Sequence, residues 1–337
     1  MTRLFAIAAV IIFACVEAAS ADDVADFYAG RQITFIVGTT PGGGYDLYAR
    51  ILAEHIARHI PGTPKVVVQN MAAASGVGAA NHVYNIAPKD GTVIAMCSAG
   101  IVLTELLDPP RVKYRSRNFG WIGTASTITD VLAVFKSSGV ATLDDARQKS
   151  VTIGAAGKNG TLSMQPALVN SLLGTKFQIV KGYTSGNEIN LAMDRGEVQG
   201  RTNQLDSWKA QRPAWVREGK LNYLLQFGPK LPDLPGVPSF DELVTTPKDK
   251  AVVDLMEIIQ FVGRSIYTPP GIPKERLAAL RAAFDLTMTD PDYVAKTKQY
   301  DLDNYFRKGT ELQADLDRIM QNTDSIVRDF KQAVDRN

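Results

Sequence analysis

Apolar residues come in two textures along this chain: short β-branched runs closed by glycine or proline, and longer stretches repeating every three or four residues. Residues Arg31 to Thr39 (RQITFIVGT) form the first run and predict a buried strand ended by Pro41-Gly42-Gly43-Gly44. Asp46 then stands at the start of a helix whose apolar stripe is Leu47, Ile51, Leu52, Ile56 and Ile60, stopped by Pro61-Gly62. Lys65 to Gln69 predict a second strand, Asn70 to Gly78 a small-residue loop followed by a helix through Ile86, and Thr92 to Met96 a third strand. This alternation predicts a parallel α/β sheet.

The pattern restarts after Trp121. Strands are predicted at Val131–Phe135, Val151–Gly154, Gln178–Val180, Val198–Arg201 and Leu221–Phe227, with helices at Thr142–Gln148, Thr161–Leu173 and Glu188–Arg195. Thr142 with Asp145 three residues on forms a near capping box. Four prolines make Gly228 to Pro238 an irregular connection, and Phe261 to Tyr267 predict one more strand. The rest reads as helix over Lys274–Thr289, Pro291–Gln299 and Thr310–Val334, the last expected to pack back on the first lobe.

One apolar stretch has neither period. Leu4 to Val16 follows Arg3 and precedes Ala19-Ser20-Ala21, the layout of a signal peptide cleaved after about Ala21. It is too short to span a bilayer comfortably, so residues 1–21 predict export rather than anchoring. Ile12-Phe13-Ala14-Cys15 loosely resembles a lipoprotein site, but bulky Phe13 stands where such sites carry a small residue. Taking 21 from 337 leaves 316 residues, enough for two lobes. With 45% hydrophobic and 21% charged residues the composition is that of a globular protein, and a net charge of +2 offers no footprint for nucleic acid. Cys97 is the one cysteine outside the leader, so no internal disulfide is expected.

The sharpest chemical signal is Thr39-Thr40-Pro41-Gly42-Gly43-Gly44-Tyr45-Asp46 between a strand and a helix. Glycines let several backbone N–H groups point at one ligand, and the helix start adds partial positive charge, so this turn predicts an anion site with Asp46 as helix cap. Gly154 to Thr161 is a second glycine-rich strand-to-helix turn, in lobe two, and Thr161 doubles as an expected N-cap. Two such turns suggest a clamp. Arg201, with Asn203 and Gln204 nearby, is the best cationic ligand contact, with a surface salt bridge as the alternative. Catalytic and metal constellations are missing. His55 and His59 follow Glu54 in an order that is not H-E-x-x-H, no G-x-S-x-G elbow occurs, and Cys97 has no identifiable base, so neither enzyme activity, metal nor cofactor is expected.

PGGGYDLYARILAEHI, VVVQNMAAASGVGAAN, PKDGTVIA, GYTSGNEINLAMDRGEVQGR and LPDLPGVPSFDEL occur in an order and spacing that resembles the extracytoplasmic solute receptors of tripartite tricarboxylate transporters, the Bug or TctC family. The resemblance covers essentially the whole chain after the leader. It implies a two-lobed α/β periplasmic binding protein of type II, a Venus flytrap with two crossover segments near Trp121–Thr129 and Gln260–Tyr267 and a helical C-terminal tail. Lobe 1 would comprise 22–126 plus 260–337 and lobe 2 residues 127–259. The resemblance implies a small carboxylate, a di- or tricarboxylate or related organic acid, held at Thr40, Gly42, Gly43, Gly44 and Tyr45. Ala74 and Ser75, Ser98 and Ala99, and Gly157, Asn159 and Thr161 would close the pocket, with Tyr183, Arg201 and Asn203 as further contacts. A monomeric periplasmic receptor serving membrane permease subunits follows. The alternatives are a receptor for another small anion, a sensory binding protein, or a secreted α/β enzyme. Two departures bear on ligand identity: Asn70 to Gly76 lacks the family's proline and most of its glycines, and Met164 and Gln165 stand where relatives often place histidine.

Overall fold

The computed structural model describes residues 23–156, 161–320 and 324–335. The segment 1–21, expected to be a leader, and the candidate residues Gly157 and Asn159 lie outside them. The strands are β1 Gln32–Val37, β2 Lys65–Asn70, β3 Val93–Met96, β4 Gly120–Thr124, β5 Asp130–Phe135, β6 Val151–Ala156, β7 Phe177–Tyr183, β8 Gly200–Gln204, β9 Leu221–Phe227, β10 Ser265–Thr268 and β11 Arg307–Lys308. They form two mixed sheets, each in its own compact unit.

Unit 1 takes the chain up to Cys97, Lys113–Ala125 and Ser265–Ala314. Its sheet has the order β11-β4-β10-β3-β1-β2. β1 runs parallel to β2 and β3, in the register Phe35↔Val68 and Val37↔Met96, because a helix carries the chain back between successive strands. Strand alternation sends Ile33, Phe35 and Val37 into one core with Tyr48, Leu52 and Ile56 of helix Gly44–Ile56 and Leu280, Phe284 and Met288 of helix Lys274–Thr289. The Phe284 ring occupies the space over Gly123 on β4, where any Cβ would collide with it.

Unit 2 takes Ser98–Val112, Ser126–Arg264 and the chain from Asp315. Its sheet has the order β7-β6-β8-β5-β9, with β6 parallel to β7 and β8, and β5 antiparallel to β8 and β9. Ala133, Ile189, Met193, Val198, Trp208 and Trp215 make one of its cores. Helix Pro247–Val262 packs against helices Gly100–Leu107 and Asp324–Asp335, and the last of these also packs on helix Thr161–Leu173.

The α/β fold class is as expected, and the chain passes between the units at 97/98, 112/113, 125/126, 264/265 and 314/315. The division differs in two places. Residues 98–112 and the chain from Asp315 belong to unit 2, so the tail does not return to unit 1. The reason is burial: Phe330 and Ala333 are covered within unit 2, and Lys248 pairs with Asp329 at 3.0 Å. Three elements also differ. Pro247–Val262 is helical, opened by Thr246 accepting the Asp249 N–H, which leaves only Ser265–Thr268 of the expected strand at Phe261–Tyr267. The tail is two helices, Gly309–Ile319 and Asp324–Asp335.

Candidate functional site

In unit 1 the carboxyl ends of the parallel strands β1 and β2 lead into the Thr39–Gly44 and Asn70–Gly76 turns, on one edge of the sheet. Open α/β sheets bind ligands at such edges. Gly42 has φ +80, a left-handed backbone that favours glycine, and is the one residue of the glycine triplet that requires it. Gly43 is the N-cap of helix Gly44–Ile56 and carries no side-chain cap. Asp46 is therefore the third residue inside the helix and not the cap. Its Oδ2 reaches back to accept the Gly42 N–H at 2.9 Å. Arg50 donates to both carboxylate oxygens at 2.9 Å, and Asn70 Nδ2 donates to Oδ1 at 2.8 Å and to the Thr39 carbonyl at 3.0 Å. Burial alone would raise the Asp46 pKa, but hydrogen bonds from Arg50, Gly42 and Asn70 outweigh it and hold the carboxyl below its ordinary value.

This brace shapes the predicted anion turn and takes one of its donors. Gly43 and Gly44 leave the backbone bare at a helix N-terminus, whose first N–H groups have no intrahelical partner. Thr40 is exposed, and the Thr39 hydroxyl is buried with no partner among the described residues. Sequence reading placed Thr39 in the glycine motif and Asn70 at the start of the next loop without giving either a contact in the turn. Ala74 holds a left-handed φ of 49, and with Ser75 it falls in the short Ala74–Gly76 turn before helix Val77–Asn85.

Unit 2 brings together candidates from two separate loops. Ser98 Oγ accepts the Gly100 N–H at 3.3 Å, and Ala99 is the buried N-cap of helix Gly100–Leu107. A Cβ placed on Gly100 would lie 3.4 Å from Thr161 Oγ1 and 3.5 Å from Ser98 Oγ. Two helix starts, at Gly100 and Thr161, thus meet with two hydroxyls between them. Tyr183 ends β7 and packs against the Trp208 core, its ring over Gly154.

Arg201 is buried, not the exposed ion pair that one sequence reading allowed. Its guanidinium donates to the carbonyls of Gly186 and Thr202 and to Asn190 Oδ1 at 3.0 Å, and lies 5.3 Å from the Trp208 ring centroid. Burial pushes its pKa down to about 9, opposed by Asp130, which still leaves it cationic at neutral pH. Asn203 is buried on β8, and its Nδ2 has no partner among the described residues.

At the same sheet edge stands a group that sequence reading missed. Asp130, 3% exposed at the start of β5, accepts from Gln165 Nε2 at 2.7 Å, Gln204 Nε2 at 3.1 Å and Gln260 Nε2 at 3.5 Å. Burial pushes its pKa up against the three amides and the field of Arg264. Its neighbours are 35 to 130 residues away in sequence, so no local signal marks it.

The histidines do not converge. His55 Nδ1 bonds the Ile51 carbonyl at 2.8 Å while His59 Nε2 bonds Asp290 at 2.7 Å. Among the described residues no group of three or more His, Cys, Asp or Glu could hold a metal ion, and no helix is long and apolar enough to cross a membrane.

Two sheets of this topology, with helix starts gathered at their carboxyl edges, define a solute-binding architecture of the periplasmic-binding-protein kind. The R. palustris protein Rpa4515, solved with adipate, matches it with a TM-score of 0.67 at 20% identity, covering 89% of this chain and 97% of that one. The periplasmic binding protein BugD matches with a TM-score of 0.66 at 18% identity, covering 91% and 98%. A UPF0065 protein of Pseudomonas sp. (strain P51), from the tcbD-tcbE intergenic region, is 28% identical over 289 residues, 81% of this chain and 79% of the relative. The profile of the tripartite tricarboxylate transporter family receptor matches residues 48–330, and the chain belongs to that family of solute-binding receptors.

Proposed function

We propose that this protein is an exported receptor that binds a small carboxylate, a di- or tricarboxylate or related organic acid, by hinge closure, and delivers it to the permease subunits of a tripartite tricarboxylate transporter. It acts in the periplasm as a monomer, without cofactor or catalysis. One observation supports the ligand class above others: at the carboxyl end of β1, the Asp46 brace holds a glycine turn whose bare backbone leads into a helix N-terminus. Backbone dipoles there attract a carboxylate without surplus lysine or arginine, in keeping with the net charge of +2. Membership in the receptor family and the adipate in Rpa4515 agree with that class.

The test is a thermal-shift screen of the protein lacking residues 1–21, stripped of co-purified ligand, against succinate, malate, adipate, citrate, aspartate and aromatic acids. A ligand at one hundred times its dissociation constant that binds only the folded state stabilises it by about 2.7 kcal/mol. No shift with any carboxylate would overturn the assignment.

A further inference from the structure

Helix Thr161–Leu173 contains Pro166 in its second turn. Proline has no N–H to give to the carbonyl four residues back, and its ring crowds that carbonyl, so the helix is weakened where its first turn joins the rest. That first turn carries Thr161, the residue that meets Gly100 and Ser98. Something else must hold it in place.

Gln165, the last residue before the proline, supplies the hold. It is fully buried and donates to Asp130 Oδ2 at 2.7 Å. The same carboxylate takes Gln204 at the end of β8 and Gln260 near the end of helix Pro247–Val262. Asp130 lies near the start and Gln260 near the end of Ser126–Arg264, the longest of the three segments of unit 2. These two ends are also laced by backbone bonds, Ile128 N–H to the Gln260 carbonyl at 3.2 Å and Arg264 N–H to the Ser126 carbonyl at 3.0 Å.

We infer that Asp130 is a positioning residue: through Gln165 it fixes the proline-weakened first turn that carries Thr161, and through Gln260 it ties that turn to the paired ends of the Ser126–Arg264 segment. The brace itself is a property of the ligand-free protein. Its role in binding rests on the reading of Thr161 as a site residue.

Amide hydrogen exchange in ligand-free protein tests it. The reporters are the amides of Gln165, Ala167 and Leu168, whose helical acceptors are the carbonyls of Thr161, Ser163 and Met164. Gln165→Met keeps size and removes the donor, and is expected to speed exchange at these amides about tenfold or more while β1–β3 stay protected. Pro166→Ala restores the missing helix bond, so the double variant Gln165→Met/Pro166→Ala is expected to regain most of the lost protection. Pro166→Ala alone is expected to slow exchange at the same amides. A merely structural glutamine would give losses spread over unit 2 and indifferent to residue 166. Unchanged exchange in Gln165→Met, or no recovery in the double variant, would overturn the inference. Neither result bears on whether a carboxylate binds.

Discussion

The carboxylate of Asp46 takes the backbone N–H of Gly42 at 2.9 Å, four residues back along the chain and across the start of a helix. Arg50 and Asn70 hold the same carboxylate, so one side chain sets the shape of the glycine turn. Asp46→Ala leaves the Gly42 N–H and the Asn70 amide without that acceptor and is expected to destabilise the protein by about 1–3 kcal/mol at pH 7. Because the folded pKa lies below the ordinary 3.8, the contribution is present above that value and is lost as pH falls through the folded pKa. Urea denaturation of both proteins at pH 7 and pH 3 checks this; a difference that does not shrink at pH 3 would contradict it.

Gly43 has φ −88 and ψ 171, an extended backbone that a branched residue accepts, and an added Cβ would find only the Thr40 carbonyl, at 3.8 Å. Gly43→Val is therefore expected to fold with a melting temperature within a few degrees of the parent, while its side chain covers the backbone donors. Calorimetric titration with the best carboxylate from the screen should show affinity reduced about tenfold or more, roughly 1.4 kcal/mol. Unchanged affinity would place the anion elsewhere.

Cys97 is buried at the end of β3, with its sulfur against Gly38, and burial pushes its thiol pKa up to about 12. Only the thiolate reacts quickly, so native protein lacking residues 1–21, and with them Cys15, is expected to be inert to a thiol-specific disulfide reagent at pH 8 and to release one equivalent after denaturation. A Cβ at Gly38 would lie 2.7 Å from the Cys97 sulfur, and Gly38→Ala is expected to cost about 1–3 kcal/mol through this overlap. Rapid labelling of native protein would contradict the packing described.

Glu257 in helix Pro247–Val262 has one carboxylate oxygen buried with no hydrogen-bond partner among the described residues. Burial, with Asp241 and Asp254 adding repulsion, raises its pKa from 4.5 to about 7. A raised carboxyl pKa means that the folded state holds its proton longer than the unfolded chain. The contribution to stability is therefore full below 4.5 and lost as pH rises through about 7. Glu257→Gln is expected to flatten this slope and to stabilise the protein at pH 8 by about 1 kcal/mol after allowance for partial solvent access. Thermal melts at pH 5 and pH 8 decide it, and equal slopes in variant and parent would rule out Glu257 as the source.

The sheet strands were legible because β-branched runs ended in glycine or proline, as at Gln32–Val37 and Leu221–Phe227. Helix Pro247–Val262 was missed although Thr246, Pro247 and Asp249 spell a helix start, because its apolar residues crowd around most of its circumference. Within the site, the glycine turn was readable and the role of Asp46 was half right: it serves the helix start, but from inside the helix. Arg201 reads in sequence as a cationic ligand contact or a surface salt bridge at the end of a short strand. Its solvation by Gly186, Thr202, Asn190 and the Trp208 ring depends on tertiary contacts that no local pattern carries. Asp130 and its three glutamines are invisible for the same reason.

The division of the chain has a consequence for how the molecule comes into being. Unit 1 is completed only by the segment ending at Ala314, and unit 2 only by the residues after it. Unit 1 lacks β10 and β11 until Ser265–Ala314 is made, and unit 2 lacks helix Asp324–Asp335 until the residues after Ala314 are made. For the exported receptor proposed above, this postpones stable structure until those segments have been made, and an unfolded polymer is what a narrow translocation channel can pass.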